Sequence, residues 1–130
     1  PPPHFSNESD ALARDSNGWL WYLPLHEKPV LLGSVSTVRP LLIRDANAGL
    51  YAFAADHNGR LLVWRRDPAS RLWSSPAQTK STRALRQFNG VKHGKEVLLA
   101  LIDVLGEAGL GLASFPDLEK MRWSKLPGGP

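Results

Sequence analysis

The chain has 130 residues, the length of one ordinary domain, with 42% hydrophobic and 22% charged side chains. That balance excludes a disordered chain, and no apolar run reaches the ~18 residues that a membrane span requires. Cysteine is absent, which removes disulfide frameworks, cysteine zinc sites and thiol nucleophiles, and the formal net charge is +4.

Eleven glycines and eleven prolines make up about 17% of the chain against a usual ~12%, which favours a fold rich in turns. Five tryptophans stand beside only two tyrosines and four phenylalanines. At that density tryptophan is either a repeated core element or a row of recognition platforms. Charge is spread unevenly: segment 60–95 holds Arg60, Arg65, Arg66, Arg71, Lys80, Arg83, Arg86, Lys92 and Lys95 against Asp67 alone. It is read as a solvated basic face, with an anionic partner left open.

In chain order, Pro1-Pro2-Pro3 is neither a signal peptide nor an initiator context, so the chain is expected to be cut from something longer or to be a processed product. Strands are predicted at 11–14, 19–23 and 30–33, with Asp15-Ser16-Asn17-Gly18 as the first hairpin turn. A second group follows at 38–43, 50–55, 60–65 and 71–75, its hairpin closed by Asp56-His57-Asn58-Gly59. A third is read at 84–88, 96–102, 109–115 and 120–124, with some helical propensity over 81–88 ended by Asn89-Gly90. Pro40 marks the first strand of the second group as an edge or bulged strand.

The groups repeat. Ala13 to Leu20 aligns with Ala54 to Leu61, Asp103 matches Asp56, and Leu72-Trp73-Ser74-Ser75-Pro76 matches Arg122-Trp123-Ser124-Lys125-Leu126-Pro127. A period of 40–50 residues with turn-rich strands points to four-stranded propeller blades. The expected fold is all-β: a β-propeller segment of about three blades, with 1–35 as a partial first blade, 36–80 as the second and 81–130 as the third. Three blades do not close a ring, so completion is expected from a homo-oligomer or from the remaining blades of a longer chain. A compact β-sandwich is the alternative.

The stretch Ala52-Phe53-Ala54-Ala55-Asp56-His57-Asn58-Gly59-Arg60-Leu61, then Trp64 and Trp73-Ser74-Ser75-Pro76, resembles the repeat of bacterial β-propeller lectins of the fucose-binding type. So does Ala11-Leu12-Ala13-Arg14-Asp15-Ser16-Asn17-Gly18-Trp19-Leu20-Trp21, and the tail from Arg122 resembles the end of that repeat. Val30-Leu31-Leu32-Gly33 and Gly111-Leu112-Ala113 depart from it where a Trp-Ser and a Leu-Trp strand are expected. The resemblance implies a secreted or cell-surface protein that binds a glycan such as a fucose-like sugar. Its degenerate blades equally fit a scaffolding propeller segment of a larger, toxin-like protein.

Sugar recognition needs aromatic faces and a few fixed polar groups. Trp19, Trp21, Trp64, Trp73 and Trp123 are the candidate platforms, with Asp56, Asn58 and Arg65 as candidate hydrogen-bonding partners and Arg66 beside them. Trp73 and Trp123 have packing between blades as an alternative role. No enzyme is read: His4, His26, His57 and His93 lack metal-ligand spacing, no serine sits in a nucleophile elbow, and no glycine loop fits phosphate. No metal or cofactor is expected. Nucleic acid is disfavoured because Asp67-Pro68 interrupts the basic track.

Overall fold

The computed structural model describes residues 4–5, 10–79 and 83–126. The proline run at 1–3 and the start of the helical reading at 81–82 lie outside them. All regular elements are strands: β1 His4–Phe5, β2 Asp10–Arg14, β3 Trp19–Pro24, β4 Val30–Ser34, β5 Leu41–Arg44, β6 Leu50–Ala55, β7 Leu61–Arg66, β8 Ala77–Gln78, β9 Leu85–His93, β10 Glu96–Asp103, β11 Ala108–Ser114 and β12 Arg122–Lys125. No described helix is long and apolar enough to cross a membrane.

The strands form three antiparallel sheets in which sequence neighbours are spatial neighbours: β1 to β4, β5 to β8 and β9 to β12. They are called here sheets one, two and three; the outermost strand of sheet one is only the two-residue β1. No sheet closes on itself. Breaks between sheets fall in the connections 35–40 and 79–84.

The sheets stack face to face, and side-chain alternation sorts the inner residues of sheet two between two cores. Leu12, Leu20 and Tyr22 of sheet one meet Leu42, Leu50, Ala52, Ala54 and Trp64 of sheet two. Leu41, Ile43, Tyr51, Phe53, Leu61 and Val63 leave the opposite face of sheet two and meet Phe88, Val97 and Leu99 of sheet three. Hence β6 is buried along its whole length, which explains why it reads as an unbroken apolar run.

Besides β1, which the sequence reading did not contain, two elements differ from that reading. Asn89-Gly90 makes neither a turn nor a helix end but lies inside β9, where Gly90 pairs with Leu99. A Cβ at Gly90 would fall 2.2 Å from Leu99 Cδ2 and 3.2 Å from Leu41 Cδ2, so packing across sheets two and three demands glycine there. The turn occurs at Gly94 instead, with φ of 60°. The strand expected at 71–75 shrinks to one bridge, Trp73 to Arg66, and pairing resumes at β8. Pro40 sits just before β5, an edge strand of sheet two.

Connections stitch each sheet to its predecessor. Val35 N–H donates to the Gly18 carbonyl at 2.9 Å, Ser36 N–H to Ala55 at 2.8 Å, and Leu85 N–H to Gly59 at 2.8 Å. Gly59 is held at φ 76°, where a Cβ would lie 2.5 Å from Ala84 Cβ. Backbone conformation and packing therefore both exclude a side chain.

Trp64 spans the first interface and is 1% exposed, its Nε1 donating to the Leu32 carbonyl at 3.1 Å. Trp64→Ala is expected to cost about 3–5 kcal/mol in urea unfolding. Trp19→Ala, at a 42% exposed position, is expected to stay within about 0.5 kcal/mol of wild type. Equal losses would show that the interface does not depend on the indole.

Candidate functional site

One turn recurs. Asp15 Oδ1 accepts N–H bonds from Asn17 at 2.9 Å and Trp19 at 3.0 Å. Asp56 Oδ1 does the same for Asn58 at 2.8 Å and Arg60 at 2.9 Å, and Asp103 Oδ1 for Leu105 and Glu107, both at 2.9 Å. A fourth copy, unrecognised in the sequence, closes β5 to β6: Asp45 Oδ1 receives Asn47 at 2.9 Å and Gly49 at 2.8 Å. One carboxylate oxygen thus satisfies two donors that the reversing chain leaves without partners.

These bonds assign structural work to two candidate ligand contacts. Asp56 spends one oxygen on its turn, and exposed Asn58 contributes its backbone N–H to the same carboxylate. The other candidates are scattered. Trp19 follows the first turn and is exposed; half-buried Trp21 donates its Nε1 to Asp15 Oδ2 at 2.9 Å. Trp64 is enclosed between sheets one and two, so its ring presents no face to a ligand. Trp73 packs at 5.1 Å on Tyr22, and exposed Arg65 sits 6.0 Å from the Tyr51 ring centroid. Trp73 and Trp123 both bury an Nε1 that has no partner among the described residues.

Only Trp123 of the eight candidates lines a hollow in sheet three of about 240 Å³. Its ring lies across Gly111, where a Cβ would come within 2.5 Å of Trp123 Cζ3. The missing side chain leaves the room that the indole occupies beside β11. Around it stand Arg83, Asp103, Glu107 and Lys125. Arg83 Nη1 donates to Glu107 Oε2 at 2.8 Å and reaches Asp103 Oδ2 at 3.5 Å, while Lys125 Nζ lies 3.3 Å from Glu107. Leu85 and Leu101 supply apolar wall.

Arg83, Glu107 and Lys125 were not singled out as candidates because β9, β10, β11 and β12 must pair before these positions converge. The repeat offered one signal: Glu107 occupies the turn position of Asp103 that Arg60 occupies for Asp56. The basic run 60–95 is also dispersed by folding. Arg66 is buried, Arg71 pairs with Glu27, and Arg83 with Glu107. Among the described residues no cluster of three His, Asp or Glu side chains is placed to hold a metal. His57 Nε2 lies 2.7 Å from Ser34 Oγ on an exposed edge, tying the second turn to β4.

No protein-family model matches the chain, and no curated protein is similar to it.

Three turn carboxylates, Asp15, Asp67 and Asp103, give the fold an acid limb. The Trp21 indole N–H and the Trp19 backbone hold the Asp15 carboxyl below its usual range, and the Ser70 N–H and hydroxyl do so for Asp67. At Asp103 burial pushes upward, but the Glu107 and Leu105 N–H groups with Arg83 outweigh it, and the carboxyl is again lowered. Groups lowered in the folded state stabilise it fully above the unfolded value of about 3.9, and lose that stabilisation as pH falls through their folded values. Replacing all three by Asn, which keeps an acceptor oxygen, is expected to flatten the fall in melting temperature on acidification. Parallel acid limbs would place the sensitivity elsewhere.

Proposed function

We propose that the chain is a non-catalytic, carbohydrate-binding segment of a β-propeller, with the hollow beside Trp123 as its sugar site. The observation that carries this reading is the composition of that hollow. The Trp123 indole lines it beside two carboxylates and two cations that fix one another by ion pairs. An indole takes the C–H face of a sugar ring, while neighbouring hydroxyls donate to carboxylates and accept from guanidinium or ammonium groups. At about 240 Å³ the hollow suits one ring, below the ~300–1,000 Å³ of pockets for drug-sized ligands. A neutral fucose-like sugar is the favoured ligand, by the resemblance of the repeat, and a secreted or surface location goes with it.

The propeller reading is supported by the direction of stacking. Sheet two offers Leu50, Ala52 and Ala54 to the preceding sheet and Tyr51 and Phe53 to the following one. Sheet three likewise turns Val97 and Leu99 back towards sheet two. The outward faces are apolar: Leu98 is 40% exposed and Val91 61% at one end, and Leu31 is 48% exposed at the other. Further blades, from a second copy of this chain or from a longer polypeptide, would cover both.

A scaffolding role is the second reading, favoured by the use of Trp64 and Trp73 as packing rather than as platforms. A panel of neutral monosaccharides separates the two. Binding that drops at least tenfold in Trp123→Ala and in Glu107→Gln, but not in Trp19→Ala, supports the sugar site. A folded protein whose solution mass corresponds to a closed multiple, such as a dimer of about six blades, and that binds none of the panel supports the scaffold. Light scattering on a sizing column supplies the mass.

A further inference from the structure

The opposite end of sheets one and two, away from the Asp15 and Asp56 turns, holds a second cleft that the sugar reading does not use. It measures about 540 Å³, and Arg44, Arg66 and Arg71 converge on it with Asp10, Tyr22 and Glu27. Its floor is a buried chain of hydrogen bonds. Tyr22 Oη and Arg44 Nη2 each donate to Asp10 Oδ2 at 2.9 Å, and Arg66 Nη1 donates to Tyr22 Oη at 2.9 Å. At the rim Arg71, held at φ 61°, pairs with Glu27.

Among the described residues the charges do not balance. Asp10 answers Arg44 and Glu27 answers Arg71. Arg66 is 9% exposed, yet among the described residues it has only the Tyr22 hydroxyl and the Tyr22 ring, whose centroid lies 5.4 Å from its guanidinium carbon. Its Nε is buried with no partner among those residues. A desolvated guanidinium without an anion is costly. Burial and the Asp10 carboxylate push the Tyr22 hydroxyl up to about 12, so it stays protonated and cannot serve as that anion.

We propose that this cleft binds a small hydroxylated monocarboxylate of the uronate class, its carboxylate held among Arg44, Arg66 and Arg71. Among the described residues one positive charge, that of Arg66, has no anionic partner, which calls for one negative charge. Asp10 and Glu27 would repel a dianion such as phosphate but accept bonds from hydroxyl groups. A planar carboxylate also matches the guanidinium fork. The site is separate from the Trp123 hollow, and its occupancy does not depend on whether that hollow binds sugar.

Calorimetry with glucuronate, glucose and inorganic phosphate tests it on the whole chain. Saturable glucuronate binding is expected, at least about tenfold tighter than glucose or phosphate and weakening as salt rises. Arg71→Ala, at the exposed rim, and Arg44→Gln should each lower glucuronate affinity severalfold while retaining the wild-type circular dichroism spectrum. Glu107→Gln should leave it unchanged, which separates this cleft from the sugar hollow. Absence of saturable glucuronate binding, equal binding of glucose, tighter binding of phosphate, or wild-type affinity in folded Arg71→Ala would each overturn the proposal. If Arg44→Gln does not fold, Arg71→Ala alone decides.

Discussion

Strand β6 carries Leu50, Ala52 and Ala54 towards sheet one and Tyr51 and Phe53 towards sheet three, and none of them is more than 1% exposed. A strand so placed can leave neither face to solvent, so the chain must supply a sheet on each side. The two faces are unequal, alanines behind and aromatic rings ahead. Trp64 sits directly opposite Ala52 in the β6–β7 register and fills the room that the small side chain leaves. Tyr22 lies on the same interface from sheet one. Interior density is kept by pairing large with small across the gap, which is why a tryptophan of apparent recognition type is drawn into the core.

The same constraint separates what was legible in the sequence from what was not. Asp15-Ser16-Asn17-Gly18 and Asp56-His57-Asn58-Gly59 were readable because a tight reversal needs a side-chain acceptor and a positive-φ glycine within five residues. The Asp45 turn escaped because Ala48, at φ 65°, stands where glycine is expected and Gly49 follows one residue later. Asn89-Gly90 misled for the converse reason. Local chemistry favours a turn there, but Gly90 is needed for the approach of Leu99 and Leu41, a requirement set by contacts about ten and fifty residues away. The candidate site was legible only at Trp123. Arg83, Glu107 and Lys125 come from three separate stretches, and only the four-stranded pairing of sheet three brings them together.

Buried polar atoms mark the places where apolar stacking gives way. Trp73 Nε1, Trp123 Nε1, Thr79 Oγ1 and Arg66 Nε all lack partners among the described residues. Trp73 and Arg66 adjoin each other through their isolated bridge, and Trp123 sits in the equivalent strand of sheet three. In sheets two and three, the side of the sheet around β8 and β12 is therefore where burial and hydrogen bonding are least reconciled. An inner strand has a neighbour on each side to complete its ladder, whereas an outer strand must rely on side-chain contacts and connections. The Trp123 hollow and the arginine cleft both touch this zone.

Stacking that repeats the same pair of faces has a consequence for assembly. Sheet one to sheet two and sheet two to sheet three use corresponding faces in the same sense, so the contact is heterologous rather than two-fold symmetric. A heterologous contact continues until it meets its own start or is capped. Trp21, on the outward face of sheet one, corresponds to the face of sheet two from which Trp64 projects, and in sheet two that face is covered. At the other end Leu98 pairs with Leu112 and Val91 on a face that no described residue of another sheet covers. Each of these two outward faces thus corresponds to a face that is covered where the sheets meet within the chain. The rotation between successive sheets decides whether such stacking closes a ring or continues as an open array.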